Sequence, residues 1–73
     1  MIFPSRQIVQ ELREMHPEGT RVALIQMDDP YSKLIPGDQG TVTGVDDAGS
    51  VMISWDRGSS LSAVYGVDRI RKI

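Results

Sequence analysis

Seventy-three residues, a formal net charge of −2 and no cysteine describe one small domain without disulfides. A chain of this size buries only about 60% of the surface it exposes unfolded, so its core is thin and its stability marginal. The missing thiols and a single histidine argue against structural zinc and against any need for an oxidising compartment, and the lack of a basic excess argues against a dedicated nucleic-acid module.

The first segment, Met1-Ile2-Phe3-Pro4-Ser5-Arg6, has neither a basic start nor a long apolar stretch, so it does not read as a signal peptide. No apolar run approaches the roughly 18 residues that suggest a membrane span. A cytosolic protein is expected. Pro4 and Ser5 fit a helix start, because a Ser hydroxyl accepts from a free backbone N–H. Ile8, Val9, Leu12 and Met15 follow at helical spacing and predict one apolar face. Glu11, Arg13 and Glu14 fall largely on the other. Pro17 and Gly19 stop the helix. So short a helix is unstable alone, so its stripe must dock on something. Three receptors are open: the rest of the domain, a partner, or a second copy in a weak dimer. Residues 1–18 are thus a helix and linker, and 19–73 a second structural unit of the same domain.

After Gly19 the pattern turns to strands. Arg21 to Met27 predicts the first. Asp28 to Asp38, with Pro30, Pro36 and Gly37, predicts a long loop. Gly40 to Val45 predicts the second strand. Asp46-Asp47-Ala48-Gly49 is tight-turn chemistry, since Asp bonds its own backbone and Gly accepts positive φ. Ser50 to Trp55 predicts the third strand, Asp56-Arg57-Gly58 the next turn, Ser60 to Val64 the fourth strand, Tyr65 to Asp68 a turn, and Arg69 to Ile73 the fifth strand. Five short strands, one long first loop and a short turn before the last strand predict a mainly β, five-stranded SH3-like barrel preceded by a short N-terminal α-helix. Alternation places Val51, Ile53 and Trp55 on the inner face, with Val22, Leu24, Val42, Leu61, Val67 and Ile70 completing the expected core. Gly40 and Gly44 mark a sharp bend or a close approach of another backbone.

The pieces Met27-Asp28-Asp29-Pro30-Tyr31, Pro36-Gly37…Gly40-Thr41-Val42 and Trp55-Asp56-x-Gly58-Ser59 resemble a small bacterial family catalogued as a domain of unknown function. Many of its members are carried by phages and mobile elements of Gram-positive bacteria. The resemblance covers nearly the whole chain, including Glu11-Leu12-Arg13-Glu14 and Pro17…Gly19-Thr20-Arg21-Val22. It implies an SH3-like barrel but no established activity or site. The family often has Asn where this chain has Arg57, a departure that bears on the hairpin type and not on the fold.

No catalytic, metal or cofactor motif stands out. His16, the only imidazole, sits at the helix end, where a cation meets the helix dipole, and reads as structural. Asp46-Asp47 lacks a calcium-loop pattern, and Gly37-x-x-Gly40 lacks the Gly-Lys-Ser/Thr of a phosphate loop. The oversized loop is the exception to an economical scaffold. It motivates a non-enzymatic binding module for a protein or peptide. Tyr31 and Trp55 would supply apolar contact, Asp28 and Asp29 would select a basic partner, and Arg57 would lie alongside. Trp55 also has a core reading. The alternative is a nucleic-acid accessory protein using Arg57, Arg69, Arg71 and Lys72, against which stands the plain reading of a solvated strand face.

Overall fold

The computed structural model describes residues 5–27, 33–64 and 66–73. Helix α1 runs Arg6–Met15. Ser5 caps it: the hydroxyl accepts from the Ile8 amide at 3.3 Å, and the His16 amide donates to the Leu12 carbonyl at 2.8 Å at the far end. The helix packs on its own sheet, with Val9 buried in the main core and Leu12 against it. The docked arc is rotated from the predicted stripe. At about 100° per residue, Val9, Leu12, Arg13 and His16 share one side, while Met15 is 54% exposed. The cause is Arg13. Its Nε donates to the Val45 carbonyl at 3.1 Å and its Nη2 to Asp47 Oδ1 at 2.8 Å, which turns that side of the helix toward the sheet.

Five strands form one antiparallel sheet: β1 (Arg21–Gln26), β2 (Gln39–Val45), β3 (Ser50–Trp55), β4 (Ala63–Val64) and β5 (Arg69–Lys72). Their order is β4-β3-β2-β1-β5. The predicted alternation holds on β3, where Val51, Ile53 and Trp55 are buried and Met52 and Ser54 are not. They meet Val22, Leu24, Val42 and Ala63, with Leu34 from the first loop beneath them. Gly40 faces Val22 on one side and Trp55 on the other. A Cβ there would lie 2.6 Å from Ile53 Cγ2 and 2.9 Å from the Ser54 carbonyl oxygen. Only Gly lets β2 and β3 pass this closely. Gly44 sits at a register shift in the same pair. The β2–β3 turn closes as its residues dictate, with Asp46 Oδ1 accepting from the amides of Ala48 and Ser50 at 3.0 and 2.9 Å.

β4 and β5 are the two edges of the sheet, yet residues 65–68 alone separate them. The Val67 and Asp68 amides both donate to the Val64 carbonyl, at 3.1 and 2.9 Å. In a flat sheet the edges would stand about 19 Å apart, four spacings of roughly 4.8 Å. A turn bonded in this way holds its ends within about 7 Å. The sheet therefore curls on itself. It does not close, because no ladder joins β4 to β5 among the described residues, and an open seam runs between them.

Strand limits and two core positions also differ from expectation. The fourth strand is only Ala63–Val64, not Ser60 to Val64. The preceding segment is irregular because its polar groups bond locally: the Trp55 amide donates to the Ser59 carbonyl at 2.8 Å, and the Leu61 amide to Ser59 Oγ at 3.3 Å. Strand alternation therefore fails there, and Leu61 is 37% exposed rather than core. Val67 lies in the turn itself and is 50% exposed, also not core. The first and fifth strands each stop one residue short of the predicted end, at Gln26 and Lys72.

Candidate functional site

β3 has two ends, and each carries a distinct surface. At the Trp55 end the foot of the first loop meets the turn after β3. Leu34 is buried in the core, the Gly37 amide donates to the Leu24 carbonyl at 2.8 Å, and the Leu24 amide donates to the Asp38 carbonyl at 2.7 Å. Asp38 Oδ2 accepts from the Ile35 amide at 3.0 Å. The same carboxylate takes Arg57 in two-point fashion, Nε to Oδ2 at 2.9 Å and Nη2 to Oδ1 at 3.0 Å. These donors, Arg57 first and the Ile35 amide second, hold the Asp38 carboxyl below its ordinary pKa. Arg21 clasps Asp56 beside it, Nη1 to Oδ1 at 2.8 Å and Nη2 to Oδ2 at 2.6 Å, and also reaches Thr41 Oγ1 at 3.0 Å. The hydrogen bond from Arg21 holds the Asp56 carboxyl down likewise. Exposed pairs of this kind add little stability each. Their effect is geometric: they fasten the loop foot and the 55–59 turn to the sheet.

The predicted residues of this surface divide. Asp28, Asp29 and Tyr31 lie outside the described residues. Trp55 is 2% exposed, its indole N–H donating to the Leu61 carbonyl at 2.9 Å, so it is part of the core. Arg57 is brought to the loop, where Asp38 holds it. Ile35, on the loop foot, is 56% exposed. The Asp38–Arg57 link carries no sequence signal, because the two residues are separated by nineteen positions with no pattern joining them.

At the Val51 end, the open seam and the last turn of α1 enclose a groove of about 560 Å³. Val51, Ala63 and Ile70 form its floor, and Leu12, Val64 and Val67 its apolar walls. His16, Asp68 and Arg69 supply its polar lining. Burial, and then the nearby Lys72 charge, lower the His16 pKa. Its Nδ1 is buried without a hydrogen-bond partner. Asp68 Oδ2 accepts from the Val64 amide at 2.9 Å and so fixes the turn. Arg69, Arg71 and Lys72 are exposed on β5. None of the three makes an ion pair among the described residues, in contrast to Arg13, Arg21 and Arg57.

Among the described residues no group of three or more His, Asp or Glu is placed to hold a metal ion, and no helix is long and apolar enough to cross a membrane. A family model described as a domain of unknown function (DUF4314) matches residues 5–73. The chain belongs to that family. The match takes in α1 and all five strands, so the helix is part of the DUF4314 unit. No curated protein and no solved structure matches the chain.

Proposed function

We propose that this DUF4314 domain is a non-enzymatic binding module, an SH3-like barrel left open along one seam, that takes a protein or peptide segment on the 28–38 loop and the adjoining 55–59 turn. The supporting observation is the Asp38–Arg57 clamp. It fixes the foot of an oversized loop against the neighbouring turn while Ile35 stays exposed. A loop anchored on a rigid sheet binds without a large ordering cost. Asp28 and Asp29 on that loop favour a basic segment, and Tyr31 offers it an apolar contact. The family resemblance adds a setting, the phages and mobile elements of bacteria.

The test is selection of a random peptide library against the domain and against the double variant Asp28→Asn/Asp29→Asn, followed by NMR mapping of the enriched peptides. The expected result is enrichment of basic peptides, perturbation clustered on 33–38 and 55–59, and about tenfold weaker binding to the variant, roughly 1.4 kcal/mol. Enrichment of peptides indifferent to the two substitutions, or none at all, would overturn the reading. The nucleic-acid alternative rests on Arg69, Arg71 and Lys72, with Arg57 paired to Asp38.

A further inference from the structure

We propose that the open seam is a second binding surface, and that its occupant is an extended acidic peptide segment anchored by one apolar side chain. This goes beyond the loop reading and does not depend on it.

Three features of the seam converge. The first is its apolar lining. Val64 is 41% exposed and lies beside Val67 in the same groove, over a floor of Val51, Ala63 and Ile70. Scattered apolar residues at a surface are ordinary, but side chains gathered around one concavity mark a contact. The second feature is backbone. β5 is an edge strand with no strand partner on the seam side among the described residues, whereas the Val64 amide and carbonyl of β4 are already taken by Asp68 and the 64–68 turn. An unpaired edge offers N–H and C=O groups to an added strand.

The third feature is charge. Arg69 lines the groove, Lys72 stands near enough to His16 in its wall to be felt there, and Arg71 lies between them on β5. Asp68 also lines the groove and keeps its negative charge while it accepts from the Val64 amide, but it is one carboxylate beside three cations. The seam therefore presents a net positive edge over an apolar floor, and acidic residues flanking one apolar side chain complement both. A nucleic acid fits less well. Its phosphate backbone has no use for an apolar floor.

The experiment uses the whole domain and labelled ten-residue peptides, read by fluorescence anisotropy and NMR. One peptide carries Asp and Glu around a central Ile, a second has Ser for that Ile, and a third has Lys and Arg for the acids. Single- and double-stranded oligonucleotides complete the set. The acidic Ile peptide is expected to bind, with shifts at Ala63, Val67, Ile70 and the His16 ring. Replacing Ile by Ser, or reversing the peptide charges, is expected to cost about tenfold or more. Arg69→Glu with Lys72→Glu should weaken the same peptide about tenfold, and so should Val67→Ser. All three positions are exposed, so folding is retained, and unchanged circular dichroism confirms it. Absence of seam shifts at millimolar peptide, equal binding of the Ser peptide, or oligonucleotide binding at the same residues in place of the peptide would each overturn the proposal. The loop reading survives any of these, because its basic peptides are mapped at 33–38 and 55–59.

Discussion

The Trp55 end of β3 and its Val51 end treat charge in opposite ways. At the first, Asp38 and Asp56 each hold a guanidinium by two bonds, so cations and anions are matched locally. At the second, Arg13 is spent on Val45 and Asp47, while Arg69, Arg71 and Lys72 make no ion pair among the described residues. A whole-chain charge of −2 hides this division. Net charge therefore constrains the partners of a small domain less than the pairing of its individual groups does.

The contrast can be broken or sharpened in four ways. Trp55→Ala should have the largest effect, because it removes a buried ring shared by the core and the 55–61 segment. A loss of about 3–5 kcal/mol is expected, enough to unfold a domain of this size. Circular dichroism in urea is the measurement, since the chain has no other Trp to report by fluorescence. Gly40→Ala comes next, at about 1–3 kcal/mol, because a backbone carbonyl and two core side chains would have to shift. A neutral Gly40→Ala would show that β2 and β3 separate more readily than their packing implies.

At the helix end, Arg13→Ala should cost about 1 kcal/mol and raise hydrogen exchange in α1. Asp47→Ala should cost less than about 0.5 kcal/mol, because Arg13 keeps the Val45 carbonyl and the lost pair is exposed. Equal losses would place the docking energy in the ion pair instead. The smallest effects are those of pH, and they fall in two windows. The His16 pKa is lowered in the fold from 6.5, so its contribution is complete above that value and declines as pH falls below it. The carboxyls of Asp38 and Asp56 are lowered from 3.8, so theirs is complete above about that value and is lost as pH falls through the depressed folded values. His16→Asn should flatten the upper window alone, and Asp38→Asn should reduce the lower one. Urea midpoints across pH measure both, and a single merged transition unaffected by His16→Asn would contradict the assignment.

Much of this scaffold could be read from local chemistry. Ser5 capping α1, Asp46 folding its own turn and Gly40 at a close approach each act within a few residues or through a side chain that admits no substitute. The alternation of Val51, Ile53 and Trp55 was legible for the same reason, because β3 is a continuous strand. Leu61 and Val67 were misplaced where continuity ends, since a period-two pattern has no meaning in a segment bonded to itself. The rotation of α1 was hidden because Arg13 reads as a solvent residue until Val45 and Asp47 are brought beneath it. The links of Asp38 to Arg57 and of Arg21 to Asp56 were equally hidden, because they join positions far apart in the chain. The seam was invisible for a further reason: it depends on two strands failing to pair, which no residue type announces.

The order β4-β3-β2-β1-β5 also has a kinetic side. β1, β2, β3 and β4 can zip together hairpin by hairpin, each pairing with its neighbour in sequence. β5 cannot join in this way. Val22 pairs with Lys72, fifty positions away, so most of the chain lies in the loop that their meeting closes. Closing so long a loop is slow relative to local pairing. Substitutions that weaken the packing of β5, such as Ile70→Ala, should therefore speed unfolding far more than they slow folding, making the last strand to arrive the first to leave.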